Sequence, residues 1–584
     1  MTSQGTRQLL KSRLFVSSLG FIVFLLAWKA ISLNLASQSA LPPPEKVFGA
    51  ASEMWHSGEM LQDVGASLRR ILTGFTIAFL SALAVGIVAA RYVKTYRSVS
   101  IFLDLLSSIP PIAWTPLAIL WFGIGDAPAC FIVFLGAFFP MFLSVYSGIT
   151  RVDRNLISAA STLGATPATI VSRVILPAAL PSILTGVRAG ITVGWFNVIA
   201  AELIGVRSGL GYKIQLSRTL LFSENVIALM LVIGIIGWIM AKAVALVGSF
   251  IAPWAIEDDS RPRWIARRTF VRRLFKRTAV SAIKTPSDAP RLQGNNTVFS
   301  TTSDTKAALL EVRGVSKSFP GQNGNDSLSV LQDISFDVRP NEVFTVIGPN
   351  GSGKTTLLRI LAGLMQADGS ILFRGKKVDG PSWQRTVIFQ DFALFPWLTA
   401  AGNVDFAHRA SLHAERNGDA NRLNPGNQTE ALLQLAGLQS FQDTYPADLS
   451  GGMRQRLAMA RALAVEPDLI LMDEPFASFY PLVREESQQT ILSLLRQKPV
   501  TVLLVTHDLD EAIFMSDRIL VLSQRPGRAK TIIKINFPHP RSPSVRRSEE
   551  FQRLRTDLWE IFRSPFNETQ NTDNPTTSTE GRCK

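Results

Sequence analysis

Two hydrophobic patterns divide this chain of 584 residues. Up to about residue 255 the apolar runs are long. Residues 71–90 and 127–150 contain no charged side chain, and each run is long enough to cross a bilayer as a helix. Comparable runs lie near 14–33, 98–120, 187–206 and 226–248. The pattern predicts an α-helical membrane bundle of about six spans over residues 1–255, with both ends on one side. Prolines at 110, 111 and 116 interrupt the third run and predict a kink or re-entrant bend. After residue 307 the apolar runs shorten. Residues 343–347, 469–472 and 500–505 read as buried strands, with helical periodicity between them. An α/β domain is predicted over 307–540, joined to the membrane half by a linker at 256–306 and followed by a polar tail at 541–584.

Charge changes this picture in one place. The chain carries 60 Lys and Arg against 45 Asp and Glu, a formal net charge of +15. Eight basic residues fall within 261–277, directly after the last apolar run, interleaved with Trp264, Ile265, Phe270, Val271, Leu274 and Phe275. That mixture suits a helix lying on anionic lipid, so membrane lipid is an expected partner and nucleic acid is not. The same cluster, together with Arg7, Lys11, Arg13, Arg91, Lys94 and Arg97 on the N-terminal side of the bundle, predicts a cytoplasmic N-terminus. Residues 280–305 read as flexible, 412–427 as a polar surface insertion and 566–584 as a disordered tail. The two cysteines, Cys130 and Cys583, build neither a disulfide framework nor a metal site.

The chemistry begins after the strand at 343–347. Gly348-Pro349-Asn350-Gly351-Ser352-Gly353-Lys354-Thr355 separates it from a helical pattern starting at Thr356. This is the G-x-x-x-x-G-K-[ST] spacing in its strand–loop–helix context, a P-loop. The glycines let backbone N–H groups turn inward around phosphate oxygens, and the helix aims its positive end at them. Lys354 is expected to reach the β- and γ-phosphates, and the Thr355 hydroxyl to bind Mg²⁺. A second strand ends in Asp473 and Glu474, one carboxylate suited to Mg²⁺ and one to orienting the attacking water. Gln390 ends the apolar run at 386–390, and Thr506-His507-Asp508 follows the run at 500–505.

Leu449-Ser450-Gly451-Gly452-Met453-Arg454-Gln455-Arg456 resembles the signature loop of ATP-binding-cassette (ABC) ATPases. The order of P-loop, Gln390, signature, two carboxylates and His507 is also that family's order, and the resemblance covers residues 308 to about 530. It implies an α/β P-loop NTPase domain of ABC type that hydrolyses ATP with Mg²⁺. It further implies Phe319 as the adenine-stacking ring, Gln390 as a Mg²⁺ and water contact, Glu474 as catalytic base and His507 as γ-phosphate sensor. Ser450, Gly451, Gly452 and Met453 would complete the ATP pocket of an opposing domain, which implies a homodimer. The family often has Gln at the position of Met453. It usually reads Ser-Ala-Leu-Asp where this chain has Ala477-Ser478-Phe479-Tyr480, so an Asp near the dimer interface is replaced by Tyr480.

The membrane half carries its own resemblance. Ser158-Ala159-Ala160-Ser-Thr-Leu-Gly164-Ala165, ending in Val174-Ile-Leu-Pro177, is similar to the cytoplasmic coupling loop of ABC importer permeases, here placed at 151–185, with Ser158 where the family has Glu. Ala159, Ala160 and Gly164 are the small residues expected at its contact with the ATPase. The stretches 110–125 and 201–212 look like permeases of the nitrate/sulfonate/taurine importer group, and Phe395-Pro-Trp-Leu-Thr399 agrees. The resemblance implies a permease and its ATPase fused in one chain, multi-pass in the bacterial inner membrane, with the ATPase in the cytoplasm. A periplasmic binding protein would deliver a small anion such as nitrate, a sulfonate or taurine. An ABC exporter, or a membrane ATPase that transmits force or signal without moving solute, are the alternatives. Asp104 and Glu202, ionisable residues in or near spans, are candidates for contact with solute.

Overall fold

The computed structural model describes residues 3–34, 41–255, 308–320, 327–414, 425–477 and 479–564. The linker expected at 256–306, most of the polar insertion (415–424), Ser478, the tail from 565 and Cys583 lie outside the described residues. The chain forms two compact units. One draws on Met1–Val152 and Leu176–Ser260, the other on Asp153–Ile175 and Arg261–Lys584. Residues 153–175, most of the loop expected at 151–185 inside the permease domain, group with the second unit.

The first unit is helical. It contains α1 (Ser3–Asn34), α2 (Pro44–His56), α3 (Glu59–Arg91), α4 (Val93–Ser107), α5 (Thr115–Phe122) and α6 (Asp126–Thr150). The next helices, α7 (Arg154–Thr162) and α8 (Pro167–Ile170), fall in the other unit, and α9 (Leu176–Gly205), α10 (Leu210–Thr219) and α11 (Ser223–Ile251) complete this one. Four helices are long and apolar enough to cross a membrane: Glu59–Arg91, Asp126–Thr150, Pro167–Gly205 and Ser223–Ile251. The run expected as a span at 98–120 is a pair of helices, Ser100–Ser107 and Pro111–Phe122, bent by 86°. Pro110 and Pro111 supply no N–H and push the residue before each out of helical geometry, so the helix stops there. With the bent pair counted as one span and the shorter apolar stretch Leu19–Asn34 of α1 beside it, the described residues are roughly consistent with the six expected. Glycines bring α3, α6 and α9 together. A Cβ on Gly74 would stand 2.8 Å from Val133 Cβ, and one on Gly186 2.5 Å from Ser144 Cβ. Such close backbone approach holds membrane helices together where lipid leaves no hydrophobic drive between them.

The second unit is α/β. Strands β1 (Leu310–Pro320), β2 (Ser327–Val338), β4 (Asp368–Phe373) and β5 (Lys376–Lys377) form an antiparallel sheet in the order β2-β1-β4-β5. A second sheet has the order β10-β9-β3-β8-β7-β6, from β3 (Val343–Ile347), β6 (Arg385–Ile388), β7 (Leu469–Asp473), β8 (Thr501–Thr506), β9 (Arg518–Leu522) and β10 (Ala529–Lys534). Five of its strands are parallel, and β10 is an antiparallel edge. Every residue of β3, β6, β7 and β8 is buried. Strands covered on both faces read as unbroken apolar runs, which is why the pattern found them. The helices are α12 (Lys354–Leu361), α13 (Ala400–Ala414), α14 (Pro425–Leu435), α15 (Gly451–Leu463), α16 (Pro481–Gln497), α17 (Leu509–Met515) and α18 (Glu549–Arg563).

The last helix corrects the sequence reading. α18 lies in what was expected to be a polar tail, yet it buries Phe551 and Leu558 in the same core as the sheet. The two anchors are seven residues apart, two turns on one face, and the charged residues between them hide the period.

Candidate nucleotide site

The P-loop, Asp473-Glu474 and His507 follow β3, β7 and β8, which lie side by side in the order β3-β8-β7. Their parallel direction puts all three at the carboxyl ends of the strands, the usual crevice for ligands in such sheets. Gly351 and Gly353 have φ of 81° and 90°, conformations that a side chain resists. A Cβ on Gly353 would also stand 2.7 Å from Leu331 Cδ2. Asn350, Gly351 and Thr355 are exposed, while Ser352 and Lys354 are buried. Lys354 Nζ donates to the Gly348 carbonyl at 2.8 Å and the Pro349 carbonyl at 3.1 Å, so the ammonium is folded onto its own loop. Burial lowers its pKa, while Glu474 and Asp473 oppose that shift. Ser352 Oγ is buried and has no hydrogen-bond partner among the described residues. Thr356 follows on the first turn of α12.

Thr355 Oγ1 donates to Asp473 Oδ1 at 3.1 Å. A hydroxyl and a carboxylate in contact are hard oxygen donors of the kind Mg²⁺ takes alongside phosphate. Burial pushes the Asp473 carboxyl up from its ordinary value, and the Thr355 hydrogen bond pulls it down. Glu474 holds left-handed backbone at φ 45°, and its N–H donates to the Val505 carbonyl at 2.9 Å. Its Oε1 lies 3.2 Å from His507 Nδ1, which joins the ends of β7 and β8. Gln390 is exposed just after β6. Phe319 is half-buried on β1, paired with Leu328, with Lys317 Nζ 5.6 Å from its ring centroid.

Ser450 caps α15, accepting from Met453 N at 3.3 Å. A Cβ on Gly451 would stand 3.0 Å from Phe479 Cε1, so the signature turn packs directly on that ring. Phe479 is buried and stacks on Phe392 at 6.2 Å. Tyr480 is 84 % exposed and stands at the N-cap of α16 without a side-chain cap.

Two residues to which the sequence assigned no role tie these loops together. Gln455 Nε2 donates to the Pro475 carbonyl at 2.9 Å, linking the signature helix to the loop after Glu474. Arg461, fully buried, donates to the carbonyls of Ala393 at 2.6 Å and Phe392 at 2.7 Å. Both acceptor residues have positive φ, 41° and 64°, so the guanidinium braces a strained turn just after Gln390. Burial lowers its pKa to about 10. Only the small apolar residues around Gln455 and Arg461 hinted that this helix was packed inside.

The 153–175 segment docks near that turn. Asp153 caps α7, accepting from Asn155 N at 2.8 Å. Ala159 and Ala160 are buried, Ala160 in the same cluster as Phe392 and Phe395. Asn155 Nδ2 donates to Asp391 Oδ2 at 3.2 Å, and Arg359 donates to Asn155 Oδ1 at 3.4 Å. Gly164 has φ 88° and ends α7, with Ala165 N donating to the Ala160 carbonyl at 3.0 Å. Its glycine is required by that left-handed turn, a stronger reason than small size.

In the membrane unit, Glu202 is completely buried and its carboxylate is hydrogen-bonded at both oxygens. It accepts from Ser67 Oγ at 2.8 Å, Arg70 NH1 at 2.6 Å and Gly211 N at 2.9 Å. Arg70 also reaches Asp126 Oδ1 at 2.7 Å and Ser208 Oγ at 2.6 Å. The Ser208–Tyr212 stretch is thus folded over a buried ion pair, and Glu202 is engaged by three donors within it. Asp104 is exposed on α4.

Known families match both halves. The ABC transporter model covers residues 331–477, and the model described as binding-protein-dependent transport system inner membrane component covers residues 82–257. An ATP-binding protein of Brucella abortus is 41 % identical over 230 residues, 39 % of this chain and 86 % of that protein.

The chain belongs to the ABC transporter family.

An uncharacterized ABC transporter ATP-binding protein of Methanocaldococcus jannaschii is 41 % identical over 265 residues, 44 % of this chain and 93 % of that protein. An aliphatic sulfonates import ATP-binding protein of Bacillus cereus is 38 % identical over 254 residues, 43 % of this chain and 95 % of that protein. This ABC transporter carries a permease and an ATP-binding domain in one chain, is a multi-pass membrane protein, binds ATP and couples its hydrolysis to transport.

Proposed function

We propose that this transporter imports a small anion, a sulfonate, taurine or nitrate, delivered by a periplasmic binding protein, and that it works as a homodimer in the inner membrane with its ATPase in the cytoplasm. One observation carries the import reading: residues 82–257 match the binding-protein-dependent permease family, and the 153–175 segment within that match packs into the ATPase unit beside the turn after Gln390. The sulfonate-import relative supports it.

In this reading Lys354 leaves the Gly348 and Pro349 carbonyls and pairs with the β- and γ-phosphates, and the N–H groups of 350–356 cradle them. Ser352 supplies its unpartnered hydroxyl. Thr355, Asp473 and Gln390 would hold Mg²⁺, which would supply positive charge against the developing phosphate charge. Glu474 orients the attacking water and accepts its proton. His507, already in contact with Glu474, senses the γ-phosphate. Phe319 stacks on adenine. Ser450, Gly451, Gly452 and Met453 present the N-terminus of α15 to nucleotide held by the second copy. Movement of α15 relative to that copy passes through Arg461 and the 391–395 turn to Asn155, Ala159, Ala160 and Gly164.

The test is uptake into proteoliposomes holding the whole chain, with a sulfonate-binding protein and ATP on the opposite side. ATP-dependent accumulation of a labelled alkyl sulfonate, with ATPase stimulated by the loaded binding protein, is expected. ATP-driven movement in the other direction would overturn the import reading.

A further inference from the structure

Next to His507 lies a second set of charged groups, centred on Arg484, Asp508 and Glu511. Arg484 sits on the first turn of α16, four residues after Tyr480. Its NH1 donates to Asp508 Oδ2 at 2.6 Å and its NH2 to the Phe479 carbonyl at 3.3 Å. Asp508 directly follows His507. Its N–H donates to Thr506 Oγ1 at 3.1 Å, and its Oδ1 caps α17 by accepting from Glu511 N at 3.1 Å. The guanidinium therefore bridges two loops: the one whose Phe479 packs on the signature glycine, and the one that carries His507.

Glu511 lies beneath this bridge. It is 4 % exposed, and its Oε1 has no hydrogen-bond partner among the described residues. The groups acting on it are Asp508, Arg484, the Thr506 hydroxyl and Glu474. The other charged side chains packed around α17 are committed elsewhere. Arg555 goes to Asp510, Arg541 to the carbonyls of Ile513 and Phe514, and Arg546 to Glu485. If Glu511 were ionised, two carboxylates, Asp508 and Glu511, would compete for one guanidinium. With Glu511 neutral, Arg484 belongs to Asp508. Burial, reinforced by Asp508, pushes the Glu511 carboxyl up to about 8.

We propose that Arg484 is a positioning residue for ATP hydrolysis, passing the placement of the Phe479–Tyr480 loop to His507 through Asp508, and that it does so only while Glu511 is uncharged. The proposal rests on the reading that Glu474 and His507 act in hydrolysis. No covalent step is added. A proton leaving Glu511 would draw Arg484 off Asp508 and release the turn that carries His507.

The experiment is the pH dependence of ATPase kcat and KM for the full chain in lipid, from about pH 6 to about pH 9.5. The parent kcat is expected to fall on the alkaline side with a midpoint near 8, with KM nearly constant. Glu511→Gln should keep the neutral-pH rate and lose the alkaline fall. Arg484→Ala should cut kcat by about tenfold or more with little change in KM, and Arg484→Lys should recover part of it. A flat parent profile, an unchanged alkaline limb in Glu511→Gln, or a loss in Arg484→Ala confined to KM would each overturn the proposal. The arginine variants keep the test open if Glu511→Gln does not fold. A Glu474→Gln control that hydrolysed ATP normally would sink the underlying reading instead, independently of these outcomes.

Discussion

Glu474 is held in left-handed backbone at the end of a fully buried strand. For a residue with a Cβ that conformation costs roughly 1–2 kcal/mol, and a folded chain keeps it only where neighbours enforce it. The Val505 carbonyl and His507 supply that restraint. Glu474→Gln preserves the shape and removes the base, so ATP should still bind while turnover falls by at least about a hundredfold. Lys354→Ala should weaken nucleotide binding instead. Separate measurement of ATP affinity and single-turnover hydrolysis distinguishes the two, and rapid hydrolysis by the Gln variant would remove Glu474 from the role of base. Glu511 offers a stability test. Its folded-state pKa of about 8 lies above the ordinary value of 4.5, so the folded state holds a proton that the unfolded state releases between them. Stability from this group is therefore greatest below the lower value and is lost as pH rises toward the higher one. Glu511→Gln removes that loss. The unfolding temperature of the ATPase unit in the variant should gain on the parent as pH rises from about 5 to about 8. Parallel curves would mean that Glu511 is ionised in the fold.

At the scale of elements, what was legible in the sequence was what is local. The P-loop, the paired carboxylates and the signature each fit inside about ten residues, so spacing alone exposed them. The buried strands showed as apolar runs for the same reason. Arg461 and Arg484 did not show, because their acceptors at 392–393, 479 and 508 lie in other loops and an isolated arginine on a helix reads as surface. Helix α18 was hidden because two anchors are too few to set a period. Pro110 and Pro111 were visible as a break, but only the structure gave an 86° turn in place of a straight span. Gly164 was singled out for its size, whereas its φ of 88° is the tighter constraint. Gly164→Ala should already cost about 1 kcal/mol locally, and Gly164→Glu should abolish uptake while the ATPase unit still binds ATP. Unchanged uptake in the Glu variant would exclude this loop from coupling. Tyr480 makes a second case. It is exposed at the N-cap of α16, where Asp caps well and Tyr does not. Tyr480→Asp alone restores the family's usual Asp and leaves the Phe479 packing on Gly451 and Phe392 intact. It should stabilise α16 by about 1 kcal/mol and raise ATPase activity. An unchanged rate would mark the tyrosine as a tolerated surface residue.

At the scale of the whole molecule, a fused chain supplies one P-loop and one signature loop. In the proposed homodimer neither is sufficient until a second copy faces it. Lys354→Ala removes one half of each composite site and Ser450→Arg the other, so either homodimer should be inactive. When the two variants are co-expressed and the mixed dimer is isolated by two different tags, one of its two sites contains both intact halves. ATPase activity of the isolated mixed dimer is the most direct measurement. It should reappear, at up to about half the parent rate if sites act independently. A mixed dimer as inactive as its parents, or a Ser450→Arg homodimer that hydrolyses ATP at the parent rate, would contradict the shared site.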